Sequence, residues 1–371
     1  MTTQSKGRVL MAMSGGIDSS VAAIMLHQEG YEVVGITMKT WDYASSGNSK
    51  KETGCCSLDS INDARSIAVR YGFPHYILDI RGEFGEHVID NFVDEYLAGR
   101  TPNPCVMCNT HIKWEALLKR ADMLKCEYIA TGHYAKVRME NGRAVISRGL
   151  DHSKDQSYVL WGVSQECLQR TLFPVGGFTK ARIKEMAREM DLHELANKSE
   201  SYEICFIPDN DYRSFLRNRV EGLDDRLEGG NFIDSSGKIL GKHKGYPFYT
   251  IGQRKGLDIA VGSAIYVTEI RPESNTVVLG PAEELQRSTM RVRNVNLVKF
   301  DSLQEPFEAL TKIRYKDQGA ISTIRQKGEY MDVTFHSTVS AIAPGQSAVF
   351  YDGEDVIGGG FIDQIQELTL S

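Results

Sequence analysis

Several things are scarce in this 371-residue chain. No run is long and apolar enough to span a bilayer, and Met1-Thr-Thr-Gln-Ser-Lys-Gly7 carries no apolar leader, so a cytoplasmic protein with no membrane partner is expected. Positive charge is in deficit. There are 43 Lys and Arg against 49 Asp and Glu, a net charge of −6, which excludes nonspecific coating of nucleic acid by the surface as a whole. The seven cysteines are odd in number and clustered, which does not suit a secreted disulfide framework. A second Cys-x-x-Cys or a His pair at zinc spacing is missing, which argues against a four-ligand structural zinc site. Internal repeats and low-complexity tracts are also missing. What remains, 41% hydrophobic and 25% charged residues, is an ordinary globular composition with length for two or three domains.

The most informative stretch is Arg8-Val-Leu-Met-Ala-Met-Ser-Gly-Gly-Ile-Asp-Ser-Ser20. It reads as a buried strand over 8–13, a break at Ser14-Gly15-Gly16, and a helix opening at Asp18-Ser19-Ser20. Paired glycines let the chain turn and let a ligand approach the backbone. The helix N-terminus offers unpaired N–H groups and a positive dipole end, so an anion is favoured there. Serine hydroxyls add donors. No Gly-Lys-Ser/Thr follows the glycines, which excludes a Walker A loop. The order Ser-Gly-Gly-x-Asp-Ser-Ser after an apolar strand resembles the pyrophosphate-binding loop of the ATP pyrophosphatase superfamily, whose members cleave ATP between the α- and β-phosphates.

Apolar runs and helical spacing then alternate. Helices are expected over 19–29, 57–71, 82–98 and 109–124, and strands over 32–38, 75–80 and 127–131. That alternation predicts an α/β domain, a parallel sheet with helices on both faces and ligands at the carboxyl ends of its strands. Met38 and Gly132-His133 fall at two such ends. A hairpin over 134–148 turns at Asn141-Gly142, and Thr179 caps a helix over 179–190. A polar loop is expected over 39–54. Beyond residue 210 helices are few and short alternating runs recur (264–268, 276–279, 330–336), which predicts small β domains. The expected division is a catalytic domain over 1–210, a small β-rich domain over 211–285 and a β-barrel over 286–371.

Thr101-Pro-Asn-Pro-Cys-Val-Met-Cys-Asn109 is the second informative stretch. The prolines present Cys105 on a stiff loop. Cys108 would sit just before the helix at 109, where the dipole stabilises a thiolate. Cys205 ends a polar approach, Ser199-Glu-Ser-Tyr-Glu-Ile-Cys205, that runs into strand-like residues. Cys55-Cys56 open the helix expected from Ser57, while Cys126 and Cys167 read as structural. For Cys105, Cys108 and Cys205 three chemistries stay open: a nucleophilic or sulfur-carrying pair, an iron–sulfur cluster held by three thiolates, and zinc.

Taken together, the loop, Asn-Pro-Cys-x-x-Cys-Asn and Glu-Ile-Cys-Phe resemble the tRNA-specific 2-thiouridylases, which replace the C2 oxygen of the wobble uridine (position 34) with sulfur. Thr131-Gly-His-Tyr-Ala135, Lys154-Asp-Gln-Ser-Tyr158, Tyr249-Thr-Ile-Gly-Gln-Arg-Lys-Gly-Leu257 and Arg314-Tyr315 extend the match along nearly the whole chain. The resemblance implies ATP contacts at Ala12, Met13, Ser14, Gly15, Gly16, Ile17, Asp18, Ser19, Met38 and Gly132. It implies target-base contacts at Asn103, Pro104 and Cys105, and tRNA contacts at His133, Lys154, Asp155, Gln156, Arg314, Tyr315 and Gln346. Cys108 matches the family's nucleophile and Cys205 its persulfide carrier, and the two would close a transient disulfide. Implied with them are Mg²⁺, with Asp18 as either its contact or a helix cap, a persulfide donor (a cysteine desulfurase or sulfur relay protein), and the lysine, glutamate and glutamine tRNAs. Two positions depart from the pattern. Cys105 stands where many relatives have aspartate, which weakens a carboxylate base there and favours a cluster. Tyr202 stands where Gln or Thr is common.

RNA binding must overcome an acidic chain. Lys238, Lys242, Lys244, Arg254 and Lys255 fall in a stretch without Asp or Glu, interleaved with Tyr246, Phe248 and Tyr249, and residues 287–327 are also locally basic. Phosphate contacts with stacking rings suit a single-stranded anticodon loop. Two other readings share these features: an ATP-dependent synthetase or amidotransferase with the same loop, and a non-catalytic nucleotide- or RNA-binding module.

Overall fold

A computed structural model describes residues 5–41, 57–198, 204–207 and 209–363. Most of the expected polar loop over 39–54, together with Cys55, Cys56 and Tyr202, lies outside the described residues. The chain divides into two compact units, one of Met1–Val88, Cys105–Asn210 and Glu354–Val356, the other of Ile89–Pro104, Asp211–Gly353 and Ile357–Ser371.

The first unit is built on a parallel sheet. Its strands are β1 (Arg8–Ala12), β2 (Glu32–Lys39), β3 (His75–Asp79), β4 (Tyr128–Ala130) and β7 (Thr171–Leu172), in the order β3-β2-β1-β4-β7. The hairpin of β5 (Ala135–Glu140) and β6 (Arg143–Arg148) lies between β4 and β7 in sequence. It turns at Asn141 and Gly142, whose φ values of 50° and 80° suit a tight two-residue connection. Val9, Leu10 and Met11 of β1 are fully buried, as a central parallel strand covered on both faces requires. Val9, Met11 and Met13 pack against Val21 and Ala22 of α1 (Ile17–Gln28), Ala64 and Ile67 of α2 (Leu58–Tyr71), and Ile183 of the helix Lys180–Glu189. The helix Ala116–Met123 packs on β1 and β4. Ser57 caps α2 by accepting from the Ser60 N–H, and Gly72 closes it at φ 76°. Two-residue β7 went unread in the sequence because it is too short to show a period.

The helices expected over 82–98 and 109–124 are composite. Each holds a wide-turn π segment, Gly85–Asp90 and Cys108–Glu115, between α-helical pieces. Such segments often occur at functional sites.

The second unit holds two β structures. The smaller sheet has the order β10-β11-β8-β9, from β8 (Asn231–Ile233), β9 (Ile239–Lys242), β10 (Tyr266–Arg271) and β11 (Thr276–Gly280). The helix Tyr212–Arg219 precedes it, capped by Asp211, which accepts from the Ser214 N–H. The short cap signal Asp-x-x-Ser could have revealed this helix. A barrel follows: β12 (Gln286–Leu297), β13 (Phe307–Lys312), β14 (Ala320–Lys327), β15 (Tyr330–Ser340), β16 (Ser347–Asp352) and β17 (Asp355–Ile362) run β12-β15-β14-β13-β16-β17, and β12–β17 pairing closes the ring. Met290, Ile324, Val333 and Phe350 fill it.

One expectation fails here. Tyr246, Phe248 and Tyr249 are not stacking rings for RNA. They are 8%, 1% and 6% exposed, and a turn at Tyr246–Phe248 drives them inward, where Tyr249 meets Phe232 with ring centroids 5.1 Å apart. Apolar burial has claimed them for the core.

Phe350→Ala should cost about 3–5 kcal/mol in denaturant unfolding, because it empties the barrel core. Ile321→Ser on the exposed face should cost under about 0.5 kcal/mol. Equal effects would contradict the assigned inner face.

Candidate active site

The sheet order reverses direction between β1 and β4, and ligands in such sheets bind outside the carboxyl ends of the strands at that switch. The chain leaves β1 through Met13 into Ser14-Gly15-Gly16. Gly15 has φ 70°, and a Cβ there would lie 2.0 Å from the Ser60 carbonyl oxygen, so only glycine fits between this turn and α2. Gly132, just beyond β4, is pressed against the start of α1. Its Cβ would lie 2.8 Å from the Ser19 nitrogen. The Ser14 N–H donates to the Ser19 hydroxyl (3.1 Å), which donates to the Gly16 carbonyl (3.1 Å). α1 begins at Gly16 with no side-chain cap. Its first N–H groups are thus presented at the switch point beside two hydroxyls, a ready anion site. Ala12, Met13 and Met38 lie at the two strand ends and Ile17 opens α1, with Ile36, two residues before Met38, paired to Ala12.

Asp18 neither caps α1 nor stands open to a metal ion. Lys180 Nζ lies 2.8 and 2.7 Å from its two carboxylate oxygens, and the Tyr134 hydroxyl donates to Oδ1 at 2.6 Å. Lys180 is 8% exposed and Tyr134 3%. A divalent ion on this carboxylate would have to displace a buried ammonium, so Asp18 does not fit the role of resident Mg²⁺ ligand. Nothing in the local sequence marked Lys180. Its position follows from the helix Lys180–Glu189 packing on α1.

The cysteine stretch also differs from expectation. Its helix opens at Pro104, whose missing N–H costs nothing at a first helical position. Cys108 therefore lies past the first turn, where the dipole has faded, and Cys105 takes the place nearer the helix end. Cys105 is exposed and Cys108 half-buried. Although its surface is open, the protein packed beneath Cys105 pushes its thiol up, with the Lys113 ammonium opposing; the exposed area is what bears on access. Asn109, 2% exposed, anchors the segment by donating to the Val159 carbonyl at 3.0 Å. Trp114 donates to the Thr171 hydroxyl at 2.8 Å.

Cys205 is exposed and lies in a tight turn rather than a strand, with the Ile207 N–H donating to the Ile204 carbonyl at 2.9 Å. Phe206 anchors the turn. Its ring meets Phe84 at 5.8 Å and Trp41 at 6.4 Å. Trp41 follows the carboxyl end of β2, and the helix Arg81–Phe84 follows that of β3 and touches Cys108–Glu115. Both cysteine segments are thus brought to the carboxyl edge of the sheet. Among the described residues, no three His, Cys, Asp or Glu side chains are grouped so as to hold a metal ion. The thiols of Cys105, Cys108 and Cys205 do not fit a cluster. Cys126 and Cys167 are 2% exposed, and burial pushes both thiols up.

His133 is 8% exposed, packed on Trp114 (5.3 Å) and Phe173 (6.2 Å) and bonded through Nδ1 to the Thr131 hydroxyl at 2.7 Å. Burial lowers its pKa well below the usual 6.5, and Lys113 adds to the effect. In 151–156, Asp155 is 8% exposed and accepts from the Gly149 and Ser157 N–H groups and the Ser157 hydroxyl. Lys154 and Gln156 are half-buried. In the second unit, Gln346 donates to the Thr101 and Pro102 carbonyls at 3.2 and 2.9 Å, and Asn103 to the Ser347 hydroxyl at 3.3 Å. Arg314 and Tyr315 occupy an exposed turn between β13 and β14.

Three family models match the chain: the tRNA methyl transferase HUP domain over residues 7–209, the tRNA methyl transferase PRC-barrel domain over 214–281, and the aminomethyltransferase β-barrel domain over 287–362. The tRNA-specific 2-thiouridylase MnmA of Amoebophilus asiaticus (strain 5a2) is 63% identical over 96% of this chain and 95% of its own length. That of Cytophaga hutchinsonii is 63% identical over 96% and 97%. Among solved structures, a 4-thiouridine synthetase–RNA complex with bound ATP aligns over 58% of this chain and 51% of its own, with 20% identity and a TM-score of 0.38.

A neutral buried His133 has a pH consequence. Its folded pKa lies below the unfolded one, so the unfolded chain binds more protons as pH falls through about 6.5, and stability drops in that direction. His75 and His243 are shifted the same way by burial. Unfolding free energy should decline from about pH 7 to about pH 5, and His133→Gln should decline less steeply. A slope unchanged by that substitution would contradict the buried neutral ring.

Proposed function

The chain belongs to the tRNA-specific 2-thiouridylase family, and we propose that it carries out ATP-dependent 2-thiolation of the wobble uridine of tRNA, as a sulfurtransferase. The observation that carries the reading is one edge of one sheet. A phosphate-binding helix end without a side-chain cap, at Ser14 to Ser19, shares it with the thiol-bearing segments at Cys108 and Cys205. The descriptions of the matching family models speak of methyl transfer. Methyl transfer gives no work to an ATP-cleaving loop or to exposed thiols, and sulfur transfer uses both.

The C2 oxygen of uridine is a poor leaving group. In the proposed sequence it attacks the α-phosphate of ATP, forming an O2-adenylate and releasing pyrophosphate, which the α1 N–H groups and the Ser14 hydroxyl hold. Any Mg²⁺ would be held by the phosphates of the nucleotide rather than by Asp18, and would supply neutralisation of phosphate charge. Cys205 carries a persulfide received from a donor protein, a cysteine desulfurase or a sulfur relay protein. Its terminal sulfur attacks C2, AMP departs, and a C2–S–S–Cys205 link forms. The Cys108 thiolate then attacks the Cys205 sulfur, expelling the 2-thiouridine and closing a Cys108–Cys205 disulfide. Alternatively Cys108 attacks the persulfide first and frees hydrosulfide, which displaces AMP. Either route ends with two cysteines oxidised, and an external thiol must return two electrons before the next turnover.

Asn103, Pro104 and Cys105 are assigned to the target base. His133, Lys154, Asp155, Gln156, Arg314, Tyr315 and Gln346 are assigned to the tRNA, with the lysine, glutamate and glutamine acceptors as substrates. Support comes from the Gln346 bonds to the Thr101 and Pro102 carbonyls beside Asn103, and from the exposure of Arg314 and Tyr315. A buried neutral His133 suits a shaping role beneath the site better than a phosphate contact. The domain division is 1–210 catalytic, 211–285 central and 286–371 barrel. Among the described residues no helix is long and apolar enough to cross a membrane, and the cytoplasm is the proposed compartment.

Cys205→Ser should abolish thiolation while AMP formation from ATP and tRNA persists at a measurable rate. Full sulfur transfer by that variant would exclude the persulfide role.

A further inference from the structure

Two residues outside the assigned contacts tie the phosphate loop to the segment carrying Lys154, Asp155 and Gln156. Tyr134 is the first. Its hydroxyl donates to Asp18 at 2.6 Å, while its backbone N–H donates to Gln156 Oε1 and its carbonyl accepts from the Gln156 N–H, both at 2.9 Å. Lys180 is the second. Its ammonium grips both Asp18 oxygens, at 2.7 and 2.8 Å, while its backbone N–H donates to Asp151 Oδ2 at 2.9 Å. That bond, with those from Ser153, holds the Asp151 carboxyl below its usual range. Two separate paths, each one residue long, therefore join the second residue of α1 to the two ends of 151–156.

The connection is stiff. Tyr134 and Lys180 are 3% and 8% exposed, and Asp155 locks the segment's middle through its bonds to Gly149 and Ser157. It is also charge-sensitive. The Lys180 ammonium is committed to Asp18. A triphosphate on the α1 N-terminus would place several negative charges beside that pair and compete for the same ammonium. Any shift of Lys180 or Asp18 is carried by Tyr134 and by the first turn of Lys180–Glu189 into 151–156.

We propose that Tyr134 and Lys180 are positioning residues that couple the two substrates, so that a nucleotide in the loop sets 151–156 for tRNA and bound tRNA in turn tightens nucleotide. The inference rests on the proposed function, which places tRNA on that segment.

The test is the tRNA dissociation constant with and without an ATP analogue carrying a methylene between the α- and β-phosphates. In the unmodified protein the analogue should tighten tRNA about fivefold or more, and tRNA should tighten the analogue by the same factor, as linkage requires. Tyr134→Phe removes one hydroxyl and keeps the ring and the backbone bonds to Gln156, so folding is not at stake; it should lower the ratio, and joined with Lys180→Met, which cuts the second path, it should bring the ratio to within about twofold of unity. An unmodified protein that binds tRNA with no response to the analogue, or a Tyr134→Phe/Lys180→Met protein with the full ratio, overturns the coupling. An unmodified protein that binds no tRNA overturns the functional reading instead.

Discussion

The structure depends on one unsatisfied helix end. α1 starts at Gly16 without a side-chain cap, and the sheet delivers that end to the point where strand order reverses. Leaving N–H groups uncapped costs stability in an ordinary helix. Here the neighbouring structure is shaped around that helix end. Gly15 turns with φ 70° against α2, Gly132 brings the end of β4 onto the first turn, and Lys180 pairs with the Asp18 carboxylate. A loop meant for polyphosphate cannot hold a bare Asp18. The buried ammonium resolves that conflict and links the loop to the rest of the site.

Sulfur chemistry is laid over this phosphate site by aromatic packing more than by polar contacts. Phe206 seats the Cys205 turn on Trp41 and Phe84, and Trp114 seats the Cys108 segment on His133. The Cys205 turn leaves its thiol exposed, which suits a group that must be reached from outside. The π segment beginning at Cys108 widens the helix where the thiol is displayed.

Where glycines and turn residues punctuate apolar runs, the amino-acid order reveals the structure. The strand–glycine–helix stretch from Arg8 to Ser20, the α2 stop at Gly72 and the Asn141-Gly142 turn all stand where the residues predict them. The failures share a cause. Whether Asp18 faces a metal, a cap or a lysine, and whether Tyr246, Phe248 and Tyr249 face RNA or a core, depends on partners distant in sequence. Lys180 is 162 positions from Asp18, so no local pattern announces the pair. The Cys108 helix was misplaced for a local reason instead, since Pro104 reads equally well as a loop stiffener and as a first helical residue.

In the proposed reaction the C2 oxygen of the wobble uridine leaves with AMP. Placing oxygen-18 at that atom, then supplying ATP and a persulfide donor, tests it directly by mass spectrometry. The label should appear in the phosphate of AMP, one atom for each 2-thiouridine formed. Thiolated tRNA with unlabelled AMP would contradict the account.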